Sequence, residues 1–158
     1  MAAALAFAGC ATQLAPAYDA PIAEALSSAN LDIQTLFVAV GSDADASTFA
    51  SRKPSYDQII AELRALQVQI TARPTPNPKL LAEADELLTR EKLGPVTVDP
   101  NFTAYPSARA VGDLADVIQH MEAADEAAGL HREAVPAFKQ QAMILLTQAI
   151  TYENFLQR

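Results

Sequence analysis

The chain has 158 residues, enough for one domain with a substantial core, and 51% of them are hydrophobic, many being alanine. Because alanine has the highest intrinsic helix propensity, this composition favours an all-α fold. The formal net charge is −8 at pH 7 and the Lys and Arg residues form no cluster, which argues against nucleic acid and against electrostatic attachment to an anionic bilayer.

The N-terminal segment holds the one cysteine of the chain, Cys10, behind a short apolar run. Phe7-Ala8-Gly9-Cys10 resembles the lipobox of bacterial lipoproteins, in which a signal peptide ends in an apolar residue, two small residues and a cysteine. The resemblance implies that the Cys10 thiol carries a diacylglycerol and that cleavage makes Cys10 the new N-terminus. It also implies the outer membrane, because Ala11 follows the cysteine in place of an aspartate. The alternative is a free thiol in an unstructured terminus.

On this interpretation the chain has three parts. Residues 1–9 are a truncated signal-like segment, residues 10–18 a tether, and residues 19–158 a helical bundle domain. We expect the domain to lie in the bacterial cell envelope, on the periplasmic side of the outer membrane, and to meet the membrane only through its lipid anchor.

Helical periodicity begins after the tether. Asp19 suits the N-cap of a helix, Pro21 its first turn, and Gly41 the left-handed residue that ends it. Between them, apolar residues recur at alternating steps of four and three, which places them on one helix face. They are Ile22, Leu26, Ala29, Ile33, Leu36 and Val40.

Residues 42–54 are predicted to form a polar loop. Acidic residues alternate there as in an EF-hand, but Thr48 and Pro54 stand where that loop needs glycine and glutamate, so calcium binding is not expected. A second helix should open at Ser55 with Gln58 in a capping box and end near Arg73, ahead of three alternating prolines. Its apolar face is Tyr56, Ile59, Leu63, Leu66 and Ile70.

Three further helices and one connector follow in order. A short third helix is predicted over 77–94, and residues 95–106 should form an extended connector whose Phe102 and Tyr105 fold onto the bundle. A fourth helix over Ser107–Ala128 should be closed by Gly129, and a fifth should start between Glu133 and Pro136. The predicted buried residues are Val111, Leu114, Val117, Ile118 and Met121 in the fourth helix, and Phe138, Ala142, Leu145, Ala149, Tyr152 and Leu156 in the fifth.

Amphipathic helices joined by short-to-moderate connectors must bury their apolar faces against one another. The sequence therefore predicts an all-α fold, an up-and-down bundle of four to five antiparallel amphipathic helices.

Residues with catalytic or metal-binding chemistry are few. His120 shares a helix face with Arg109, Asp113 and Asp116, but that face lies opposite the apolar one and should be exposed. His131 is predicted to be a solvated turn residue. Six carboxylates are expected on helix exteriors: Glu83, Asp85, Glu86, Glu122, Asp125 and Glu126.

Cofactor motifs of helical bundles are missing from the sequence. Neither histidine has a glutamate three residues before it, as di-iron bundles require, and a single cysteine excludes covalent haem attachment. We expect no cofactor and no resident metal. The sequence favours a non-enzymatic, envelope-tethered bundle that acts as a structural or protein-interaction module. The alternative is a bundle that binds a small apolar ligand, since alanines on the apolar faces leave room between helices.

Overall fold

A computed structural model describes residues 16–74 and 105–157 of the chain. These two ranges contain four α-helices, α1 (Ala20–Val40), α2 (Phe49–Thr71), α3 (Pro106–Ala128) and α4 (Ala134–Phe155), and a 3₁₀ turn at Ala46–Thr48. The helices pack side by side, which confirms the predicted all-α bundle. The predicted helix over 77–94 and Phe102 lie outside the described residues.

The four helices form a ring in which each contacts two neighbours. Helix α1 packs against α2 and α4, and α3 packs against the same two helices. The two short connectors meet at one end of the bundle, where Ala44 and Leu130 exchange two backbone hydrogen bonds of 2.8 Å. At the other end, the Tyr105 hydroxyl donates to the carbonyl oxygen of Arg73 at 2.9 Å. Consecutive helices are therefore antiparallel.

Helix α1 follows its prediction closely. Asp19 occupies the N-cap position, and Gly41 ends the helix with a φ of 68°. All six predicted face residues are buried, together with Phe37. The alternating spacing thus identified the buried face correctly.

The start of α2 corrects the prediction. The helix begins at Phe49, not at Ser55, and Pro54 lies inside it. Phe49 and Arg52 are both buried. Their packing extends the helix toward its N-terminus, although Pro54 has no backbone N–H to donate within the helix. The five predicted apolar residues of α2 are all buried, as expected.

Helix α3, which is the predicted fourth helix, begins one residue before the predicted Ser107 and ends at Ala128 as predicted. Its predicted buried residues are all buried, and so is Tyr105 before it. The buried face of α4 differs from the prediction. Ala142 and Ala149 are fully buried, as predicted. Leu146 is buried in place of the predicted Leu145, and Leu145 is half-buried against the core. The buried residues of α4 are Val135, Ala142, Leu146, Ala149 and Glu153.

Candidate functional site

The polar face predicted on α3 lies on the surface. Arg109, Asp113, Asp116 and His120 are all exposed, and the Arg109 Nε lies 3.8 Å from an Asp113 carboxylate oxygen. Asp116 accepts a hydrogen bond from the Arg64 guanidinium of α2. Among residues 16–74 and 105–157, no three His, Cys, Asp or Glu side chains come together as metal ligands.

His131 is exposed in the connector between α3 and α4, where it was predicted. Cys10 and the predicted exterior carboxylates Glu83, Asp85 and Glu86 lie outside the described residues.

Asp125 corrects the prediction of an exterior carboxylate. It lies in α3 with none of its surface exposed, and two nitrogens of Arg52 bind its carboxylate. The Arg52 Nε donates to Oδ2 at 2.8 Å and Nη2 donates to Oδ1 at 2.6 Å. A third donor, the Tyr56 hydroxyl, reaches Oδ2 at 3.0 Å. We call Arg52, Tyr56 and Asp125 the upper cluster.

The remaining donors of Arg52 fix the connector that precedes α2. Nη1 donates to the Thr48 hydroxyl at 2.6 Å, and Nη2 also donates to the Asp45 carbonyl oxygen at 3.2 Å. The Thr48 hydroxyl in turn donates to the same carbonyl at 2.8 Å. The upper cluster therefore joins α2, α3 and the connector at one end of the bundle.

Arg52 and Tyr56 both keep their protons around neutral pH. Hydrogen bonding to Asp125 raises the pKa of Arg52 further above its usual high value. Burial, aided by the negative charge of Asp125, raises the pKa of Tyr56. Arg52 thus stays charged and Tyr56 stays a hydrogen-bond donor. Because three donors already occupy the Asp125 carboxylate and no solvent reaches it, the cluster is suited to holding helices together and not to proton transfer with a substrate.

A second buried ion pair lies at the opposite end of the bundle. The Glu153 carboxylate of α4 accepts from the Arg73 Nη2 at 2.6 Å and from the Ser107 hydroxyl at 2.5 Å. The Arg73 guanidinium carbon also lies 6.0 Å from the centre of the Tyr105 ring. These four residues, the lower cluster, join the end of α2, the start of α3 and the end of α4.

The Arg73 side chain is 6% exposed, and within residues 16–74 and 105–157 its Nε and Nη1 have no hydrogen-bond partner. Glu153 also borders a small cavity of about 90 Å³ between α1 and α4. The volume accommodates only a few water molecules, since one water takes about 30 Å³ in the liquid.

The sequence prediction placed Asp125 on a helix exterior and Arg52 in a loop, and it made no assignment for Glu153, so both clusters were missed. Their spacing carried a usable signal. Asp125 follows Met121 by four residues and so continues the buried series of α3, and Glu153 follows Ala149 in the same way. Arg52 lies three residues after Phe49 and four before Tyr56, in the same series on α2. A charge in register with an apolar face indicates a buried ion pair when a partner of opposite charge occupies the same kind of position.

The outer surface has two distinct sides. The exposed residues of α1 and α4, which we call the α1/α4 face, include only two charged side chains, Glu24 and Lys139. The exposed residues of α2 and α3 include seven: Lys53, Asp57, Glu62, Arg109, Asp113, Asp116 and Glu126.

Comparison with family models, with curated proteins and with solved structures finds no match to the chain. The four described helices include none with the length and apolar character that crossing a bilayer requires.

Proposed function

We propose that the protein is a non-enzymatic helical bundle, tethered to the bacterial cell envelope through Cys10, that serves as a structural or protein-interaction module. The observation that carries the tether is the lipobox-like sequence Phe7-Ala8-Gly9-Cys10. Because the described bundle begins at Ala20, about ten residues would separate a lipid on Cys10 from α1.

The chemistry of the described residues supports a non-catalytic role. The two buried carboxylates, Asp125 and Glu153, both accept hydrogen bonds from arginine and hydroxyl groups of neighbouring elements. Neither exposed histidine belongs to a cluster of metal-ligating side chains within the described ranges. The weakly charged α1/α4 face is the surface best suited to contact a partner, since burying charged residues carries a desolvation cost.

Metabolic labelling tests the tether. The full chain is expressed in a bacterial host with radiolabelled palmitate, beside a Cys10→Ser variant as the matched control. We expect label in the wild-type protein, none in the variant, and recovery of the wild type with outer-membrane fragments on the periplasmic side. An unlabelled wild type that stays in the soluble fraction would refute the tether.

One observation favours a second function, binding of a small apolar ligand. A surface groove of about 300 Å³ runs between α1 and α2, at the lower limit of typical ligand sites. Three alanines and a serine supply much of its wall, and their small side chains leave the space between the two helices. It is lined by Ala25, Ser28 and Ala29 of α1 and by Glu62, Ala65, Leu66 and Gln69 of α2.

Native mass spectrometry of the Cys10→Ser chain, which has no site for the lipid anchor, separates these two functions. A ligand binder should retain an additional lipid-like mass after purification, and an Ala65→Phe variant, whose ring would occupy the groove, should lose it. A chain that carries no additional mass, before and after incubation with a fatty acid, would count against the ligand-binding function and leave the interaction module.

A further inference from the structure

The α1/α4 face combines few charges with exposed apolar side chains. Five large hydrophobic residues of the described chain are prominently exposed, and four of them belong to α1 and α4. Leu31 is 67% exposed and Val38 is 81% exposed on α1, and Ile144 is 50% exposed on α4. Phe155 is the fourth.

Leu31 and Ile144 lie near the middle of this face. The Gln34 amide of α1 lies 2.9 Å from the Met143 sulfur of α4, which sets the relative height of the two helices. Leu31 is three residues from Gln34, and Ile144 is adjacent to Met143. The face therefore has an apolar centre, and the exposed residues around it are uncharged apart from Glu24 and Lys139. Asp32, next to Leu31, is half-buried. An apolar centre with a polar rim is the arrangement found in protein–protein interfaces.

We infer that two copies of this chain associate through their α1/α4 faces. The inference deepens the interaction role proposed above and is independent of the lipid tether. Each copy carries a net charge of −8, so two copies repel each other in most orientations. Repulsion is smallest where the contacting surfaces contribute almost no charge, and the α1/α4 face meets that condition. An anionic bilayer is a poorer occupant, because Lys139 is the one basic residue exposed on the face.

The two charges on the face favour one arrangement of the copies. Glu24 and Lys139 lie toward opposite ends of the face. Lys139 stands over the ring of Phe37, near the end of α1, whereas Glu24 lies near the start of α1. A two-fold axis perpendicular to the helices brings Glu24 of one copy to the same end as Lys139 of the other. A two-fold axis parallel to the helices brings the two Glu24 side chains to one end instead. Charge thus selects the antiparallel dimer.

The size of the face limits the surface that the association can bury. Helix α1 has 21 residues, which corresponds to a length of about 30 Å. Two adjacent helices, each about 10 Å wide, offer roughly 600 Å² per copy. The dimer would bury about 1,200 Å² in total, at the lower limit of specific interfaces. We therefore expect a reversible dimer with a dissociation constant in the micromolar range.

Sedimentation velocity tests the proposal, using the full chain with Cys10→Ser so that neither a lipid nor a thiol contributes. The expected result is a monomer–dimer equilibrium between about 1 and 200 µM. Leu31→Glu should raise the dissociation constant at least tenfold. Val68→Glu is the matched control, because Val68 of α2 is also 67% exposed and the substitution adds the same charge away from the face. It should leave the dissociation constant within about twofold.

A Cys10→Ser, Leu31→Cys variant tests the arrangement, since the antiparallel axis brings the two α1 midpoints together. Oxidation should give a covalent dimer, and the corresponding Val68→Cys variant should give little. A monomer at all concentrations, or equal effects of Leu31→Glu and Val68→Glu, would overturn the proposal. So would a monomer that binds phosphatidylcholine vesicles through Leu31, which would make the face a membrane contact. Palmitate labelling decides the tether separately, so the failure of one proposal is distinguishable from failure of the other.

Discussion

Separating Arg52 from Asp125 should be among the most destabilising changes that single side chains permit in this bundle. The perturbation consists of Arg52→Met, Asp125→Asn and the two together. Methionine keeps much of the length of arginine without its charge, and asparagine keeps the shape of aspartate. Each single substitution therefore removes one charge while leaving its former partner buried.

The magnitude follows from the contacts of Asp125. Arg52→Met removes two charge-assisted hydrogen bonds of 2.8 and 2.6 Å and leaves a fully buried carboxylate with Tyr56 as its remaining donor in the described structure. Hydrogen bonds to charged groups contribute about 1.5–3 kcal/mol each, and breaking a buried ion pair typically costs about 3–5 kcal/mol. We expect a loss of about 3–5 kcal/mol for Arg52→Met and about 2–4 kcal/mol for Asp125→Asn.

The double variant should lose much less than the sum of the two single variants, because neither buried charge remains without its partner. Urea denaturation followed by circular dichroism at 222 nm measures the free energy of unfolding of all four proteins. The Arg64→Met variant is the control: the side chains of Arg64 and Asp116 are 40% and 54% exposed, so breaking this surface pair should cost less than about 1 kcal/mol. Additive losses in the cycle, or an Arg52→Met loss no larger than that of Arg64→Met, would refute the assignment of the upper cluster as a lock between helices.

Three further changes have expected outcomes. Because the pKa of Tyr56 is raised, the folded chain keeps the phenolic proton above pH 10 while the unfolded chain loses it. The free energy of unfolding should therefore fall by up to about 1.4 kcal/mol per pH unit above pH 10, and less steeply in Tyr56→Phe. Urea midpoints at pH 9, 10 and 11 measure this pH dependence. Gly129→Ala should cost at least about 1 kcal/mol more than Gly41→Ala in thermal unfolding, because both have positive φ but only at Gly129 would a Cβ lie 2.2 Å from a backbone oxygen. Pro54→Ala should stabilise the chain by about 1–2 kcal/mol in urea unfolding, by restoring a donor inside α2.

Apolar periodicity was sufficient to predict most of the described fold. All six apolar residues that the spacing on α1 proposed are buried. Gly41 and Gly129, which were predicted to end helices, do so with a positive φ. Such predictions succeed because burial of one helix face is the largest favourable term in a bundle, and it depends on spacing within a single segment.

Predictions failed where a charged residue occupies a buried position. Residues 49–54 of α2, which include the buried Arg52, were predicted to be loop. On α4 the predicted face held Leu145 and Tyr152, whereas the buried residues are their neighbours Leu146 and Glu153. Burial of these charges depends on a partner far along the chain, Asp125 for Arg52 and Arg73 for Glu153. Spacing within one helix can indicate that a charged residue is buried, but it does not identify the partner, so the pairing is established only by the structure.

The placement of charge connects stability with the proposed interaction. The ion pairs Arg52–Asp125 and Arg73–Glu153 lie at opposite ends of the bundle and involve α2, α3, α4 and the segments beside them, whereas α1 contributes no charged residue to either. Helix α1 is held by apolar packing against α2 and α4, and its outer side carries one exposed charge. Substitutions at Leu31 should therefore alter self-association with little effect on unfolding, while substitutions at Arg52 should do the reverse. A Leu31→Glu variant that lost several kcal/mol of stability would contradict this separation.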